Sequence, residues 1–139
     1  MMTLTRRYRF SASHRLHAPS LAESENARIY GKCNNPYGHG HDYVLEVSVR
    51  GPLDEATGRI VDLDSLDALV RAEVLNAFDH RNLNLDAPGF ADMVPTTENL
   101  AIEIRRRLAK AWERAFPAGA PELDRIRIQE TKRNIFELA

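Results

Sequence analysis

Two stretches near the front of the chain alternate with a period of two, and they constrain the fold more than anything else. From Leu4 to His14, Tyr8, Phe10 and Ala12 alternate with Arg7, Arg9 and Ser11. From His41 to Arg50, Tyr43, Leu45, Val47 and Val49 share one face, and Gly51-Pro52 ends the run. Such patterns predict strands with one buried face, and that face needs a cover. The cover is predicted next along the chain. Leu63, Leu66, Val70, Val74 and Phe78 recur at helical spacings behind a capping Asp62 or Asp64. A second helix carries Leu100, Ile104, Leu108 and Trp112 in one stripe, entered through Pro95, Thr96 and Thr97 and closed by Pro117. A third strand, Arg125 to Thr131, alternates Ile126 and Ile128 with arginines, and "NIFEL" pairs behind it. Strand, strand, helix, helix, strand, strand predicts an α+β fold, an antiparallel sheet covered on one face by two helices. Arg15 to Gly40 shows no assignable period. Asp79 to Pro95 reads as a loop, and loops of that length inside a compact unit tend to be functional.

The bulk properties exclude several classes. The 139 residues, without repeat or linker, predict one domain spanning 1–139. A net charge of −1 gives no electrostatic case for nucleic acid or an anionic membrane. No apolar run approaches the ~20 residues of a membrane helix, and the first residues lack the apolar segment of a secretory signal. The single cysteine excludes an internal disulfide, so a reducing, cytoplasmic setting is expected.

Strand parity brings out the chemistry. His14 falls in register with Phe10 and Ala12, His39 with His41 and Tyr43, and Glu130 with Ile126 and Ile128. Polar groups on apolar faces at strand ends predict a pocket at the rim of the sheet. The opposite faces carry Arg7, Arg9, Arg125 and Arg127, a basic surface that needs water or a partner. His39 and His41 project the same way and can grip one ion, with His14 the best third ligand. Three histidines leave tetrahedral Zn2+ one open position, the arrangement of a catalytic site. Divalent affinities alone do not select zinc. Two readings compete with this one. His-Gly-His is short enough to arise without a metal, and Cys33 could itself be a ligand and close the site. His17 has no comparable setting and reads as a loop residue.

The motifs "FSASHRL", "GKCNNPYGHGHDY", "FDHRNLNLD", "PTTEN" and "QETK", in this order and spacing, resemble the 6-pyruvoyl-tetrahydropterin synthases and the related 6-carboxy-tetrahydropterin synthases of queuosine biosynthesis. The resemblance covers Phe10 to Thr131. It implies a T-fold: a four-stranded antiparallel sheet with two helices on one side. It implies trimers whose sheets close into a barrel, stacked as dimers of trimers, with active sites between subunits. The arginine faces would then line a central pore. The implied substrate is 7,8-dihydroneopterin triphosphate.

By the same resemblance His14, His39 and His41 match zinc ligands. Cys33 matches the catalytic cysteine, Asp79 and His80 its partners in an inter-subunit triad, and Glu130 the carboxylate that anchors the pterin. Thr96, Thr97 and Glu98 match a segment that helps hold the ring, although both threonines also sit where helix caps belong. Five residues, Asn34 to Gly38, separate Cys33 from His39, an interval that looks like the pyruvoyl branch; Tyr37 departs from the asparagine common there. The alternative product is the carboxy pterin, released with acetaldehyde. Readings of another class are a non-catalytic metal- or pterin-binding module and a metal-dependent hydrolase that would not need Cys33.

Overall fold

The computed structural model describes residues 1–139. Strand β1 (Met2–His14) pairs with β2 (His39–Gly51) antiparallel along its whole length, from Met2 opposite Gly51 to His14 opposite His39. This register decides where the chemistry lies. It puts Phe10 against Tyr43 and Ala12 against His41 on the covered face, and a slip of one residue would throw every histidine to the other side. Strand β4 (Glu122–Gln129) pairs antiparallel with β2, with an irregularity at Ser48/Val49, and β5 (Ile135–Leu138) pairs antiparallel with β4.

The sheet has one strand more than the four expected. Arg81–Asn82 form a short β3, parallel to β1 beside Ala12 and Ser13, so the order is β3-β1-β2-β4-β5. Two residues carry no readable alternation, which is why this strand was hidden inside the predicted loop. Strand limits also move: β1 starts at Met2, β2 starts at His39, and β4 stops at Gln129, one residue before Glu130.

Helix α1 (Glu23–Tyr30) lies in the stretch that showed no period. An amide holds it rather than an apolar stripe. Buried Asn26 accepts from the Ala18 N–H at 2.7 Å, and its Nδ2 faces the carbonyls of Ala18, Leu21 and Ala22 at 3.1–3.2 Å. A 3-10 turn, Gly31–Asn34, follows and carries Cys33.

Helix α2 (Leu63–Val70) is capped by Asp62, whose carboxylate accepts from the Asp64 N–H and the Ser65 hydroxyl. It continues as a π turn, Arg71–Leu75, into α3 (Asn76–Phe78). Leu66, Val70, Val74 and Phe78 are spaced by four, which in a regular α-helix drifts about 40° per step. The wider π turn absorbs part of that drift, so all four stay fully buried. Helix α4 (Thr97–Ala115) buries Leu100, Ile104 and Leu108. With α2 it covers Phe10, Tyr43, Leu45, Val47, Ile126 and Ile128, the sheet side of the core. Asp67 fastens α2 to β1 by accepting from Arg6 Nε and Nη2 (2.7 and 2.8 Å) and from the Tyr8 hydroxyl (2.7 Å).

The uncovered face is less basic than its arginines suggested. Glu46 pairs with Arg7 and Arg127 at 2.8 and 3.2 Å, and Glu137 with Arg125 at 3.6 Å; Arg9 alone of the four has no carboxylate partner. Upstream of Ser11 the outer edge of β1 has no strand partner, and β5 is the other open edge. No helix is long and apolar enough to cross a membrane.

Candidate active site

At the end of the β1–β2 ladder, the imidazoles of His14, His39 and His41 face one another edge to face. Ring centroids stand 4.7–5.0 Å apart. One ligating nitrogen from each lies within 4.8 Å of the other two. His14 is 1% exposed, and its Nδ1 lies 2.9 Å from the Pro95 carbonyl. A carbonyl only accepts, so Nδ1 carries the proton and Nε2 presents its lone pair to the cluster. That Nε2 stands 3.3 Å from His39 Nε2. Two nitrogens on a tetrahedral zinc at bonds of 2.0–2.1 Å would be about 3.3–3.4 Å apart. A shared proton could bridge that one pair, but it leaves the third ring unanswered. His41 Nε2 is buried without a hydrogen-bond partner, and Glu130 Oε1 is 3.7 Å away. The donor set therefore fits a cation. Cys33 is not among the grouped donors, which weakens its reading as a fourth ligand.

Burial drives His14 down to about 4, with the two neighbouring histidines adding to the effect and the Pro95 hydrogen bond opposing it. Burial also lowers His41, against the pull of Glu130. Both rings are thus neutral near pH 7, as ligation requires. In the metal-free protein this has a consequence for stability. The unfolded chain protonates His14 near 6.5 and the folded one near 4, so the unfolded state binds more protons in between. Stability is expected to fall by about 3 kcal/mol from this group as pH drops through that window. Denaturant melts of the metal-free protein at pH 7 and pH 4 check it; equal or greater stability at pH 4 contradicts it.

Cys33 is tied through the backbone to the segment that follows His14. Its carbonyl accepts from the Leu16 N–H at 2.8 Å, Asn34 Nδ2 donates to the Leu16 carbonyl at 2.7 Å, and Arg15 Nε to the Asn34 carbonyl at 3.1 Å. The turn then reverses at Gly38 (φ +72°), where a Cβ would stand 2.9 Å from the His14 carbonyl oxygen. A glycine is required there. The half-buried thiol is raised, first by burial and then by the charge of Glu130. Nothing within the chain lowers it.

Asp79 and His80 sit elsewhere. Asp79 Oδ1 accepts from the Ser11 N–H at 2.9 Å and lies 3.1 Å from His80 Nδ1, and the His80 N–H donates to the Ser11 carbonyl at 2.6 Å. None of these bonds reaches Cys33. His80 adopts φ +59°, unusual for a residue with a Cβ, and its side chain is 83% exposed. Such strain persists where the surroundings impose it, often at functional positions.

Glu130 lies just past β4 with its side chain 14% exposed, and Thr97 Oγ1 donates to its Oε2. The two threonines divide their roles. Thr96 caps α4, accepting from the Asn99 N–H at 3.2 Å, whereas fully buried Thr97 orients the carboxylate. Glu98 is exposed in the first turn of α4 and makes no bond to the site. Sequence reasoning missed the Pro95 carbonyl that orients His14 and the bond from Thr97 to Glu130. "PTTEN" held the clue to the second, since only one threonine can be the cap.

The 6-pyruvoyl tetrahydropterin synthase family matches residues 3–139, nearly the whole chain. The chain belongs to that family. It is an enzyme of the 6-pyruvoyl tetrahydropterin synthase type. The 6-pyruvoyl tetrahydrobiopterin synthase of Poecilia reticulata is 49% identical over 132 residues, 95% of this chain and 86% of that one. The protein of that name from Homo sapiens is 43% identical over 132 residues, 95% of this chain and 87% of that one. The solved structure of Caenorhabditis elegans 6-pyruvoyl tetrahydropterin synthase superposes with a TM-score of 0.88 at 40% identity, covering 99% of this chain and 94% of the other. The T-fold expected from the sequence is the fold of these synthases.

Proposed function

We propose that the protein, one domain over 1–139, is a zinc-dependent lyase that converts 7,8-dihydroneopterin triphosphate into 6-pyruvoyl-tetrahydropterin and triphosphate. The observation that carries this reading is the convergence of three imidazole nitrogens, one of them buried without a partner, beside an oriented carboxylate. The names of the relatives supply the product class, and the motif resemblance supplies the substrate.

His14, His39 and His41 would hold Zn2+, which supplies a Lewis acid for the oxygens of the substrate's side chain and lowers the cost of charge built up there. Glu130, held through Oε2 by Thr97, offers its remaining lone pairs to the paired N–H donors of the pterin ring. Cys33 removes the proton from the side-chain carbon. As it stands in one chain its thiol is protonated at neutral pH, because burial and Glu130 both raise it. A cation must approach from outside. His80 of a neighbouring copy is the group that approaches: its side chain is largely exposed, with Nδ1 3.1 Å from Asp79 Oδ1. Proton transfers between Cys33 and His80 then move hydrogen between ring and side chain. Triphosphate leaves with the electron pair of the broken C–O bond, so no redox cofactor is needed. The active unit is accordingly a homo-oligomer, a trimer or a dimer of trimers, built through the open sheet edges at β1 and β5.

The interval from Cys33 to His39 favours the pyruvoyl product over the carboxy one. Purified protein given the substrate should form 6-pyruvoyl-tetrahydropterin and one triphosphate per turnover. Stoichiometric acetaldehyde would instead identify the carboxy-pterin reaction.

A further inference from the structure

The protein has three buried side-chain atoms without a hydrogen-bond partner: Arg105 Nη1 on α4, His41 Nε2 and Tyr43 Oη. The last two are in the site. A metal accounts for His41 and leaves Tyr43 unexplained. Tyr43 is 0% exposed, stacked on Phe10 at 5.1 Å and set edge-on to His41 at 5.7 Å, so its hydroxyl cannot swing out to water. Buried hydroxyls almost always find partners, and phenylalanine would fill the same space without the penalty. Thr97 lies beside it, near enough to act on the phenol but not seated as a hydrogen-bond partner. The one proton of the Thr97 hydroxyl goes to Glu130, which leaves its oxygen free to accept.

We propose that Tyr43 is a positioning residue for the substrate ring: when Glu130 takes up the ring's paired N–H groups, the Tyr43 hydroxyl closes onto Thr97 Oγ1, and the chain from Tyr43 through Thr97 locks the carboxylate in place. The proposal rests on Glu130 as the ring anchor. The free protein holds an unpaired hydroxyl and the complex holds a paired one, so the difference appears in affinity rather than in folding.

Tyr43→Phe separates this from a structural role, because the two effects run in opposite directions. Removing an unpaired hydroxyl should leave the melting temperature unchanged or raise it, with zinc content unchanged. KM should rise about tenfold to a hundredfold with kcat little altered. The dissociation constant of 7,8-dihydroneopterin, which has the ring and no triphosphate, should rise to match. Thr97→Val should weaken binding at least as much, and the double variant no further. Unchanged pterin affinity in Tyr43→Phe, or a lowered melting temperature, overturns the proposal while leaving the lyase reading intact. A wild-type protein that neither binds 7,8-dihydroneopterin nor turns over the triphosphate overturns both.

Discussion

Cys33→Ala is expected to lower kcat by roughly 10²–10⁴-fold, the range a positioned acid or base contributes. Zinc should stay bound, since the three histidines group without the cysteine. The fold should also persist. The contacts that hold Cys33 in its turn are made by its carbonyl and by Asn34, not by the thiol, and the side chain is only half-buried. Cys33→Ser should be nearly as poor, because a hydroxyl is a far weaker acid than a thiol. Steady-state kinetics with metal analysis on the same samples check all three statements. Full activity in Cys33→Ala would favour a hydrolase that works from the metal alone, and loss of zinc would favour a closed site with cysteine as fourth ligand.

The second large effect is at His39. Changing a partner that merely orients a ligand costs 10–100-fold in metal affinity, so His39→Ala, which deletes a ligand, should cost more than a hundredfold and abolish turnover. His39 is a cleaner target than His14, which is fully buried and bonded to Pro95, so that its truncation would also cost stability. In the wild type, zinc at about a thousand times its dissociation constant should stabilise the fold by about 4 kcal/mol. In His39→Ala that response should vanish. Thermal melts with and without added zinc measure it, and an undiminished zinc response would place the ion elsewhere.

What the sequence made legible was what had a period. Parity alone brought His14, His39 and His41 to one face, because β1 and β2 pair without a slip from Met2 to His14. The stripes of α2 and α4 were readable for the same reason. Helix α1 was not, because the polar side chain of Asn26 anchors it and leaves no apolar rhythm. Strand β3 was too short to alternate. The roles of Thr96 and Thr97 became distinct only when the start of α4 fixed which of them was the cap. Within one chain Asp79 and His80 stand apart from Cys33, held at the sheet edge by their bonds to Ser11, and only the resemblance, not any period, had placed that triad between subunits.

The central claim is that three imidazoles hold one ion and leave it a vacant position. X-ray absorption at the zinc edge, on protein loaded with one equivalent of Zn2+, tests it most directly. The account predicts three nitrogen neighbours and one further light atom at about 2.0–2.1 Å, with no sulfur. A sulfur neighbour near 2.3 Å would make Cys33 a ligand and close the position on which the proposed chemistry depends.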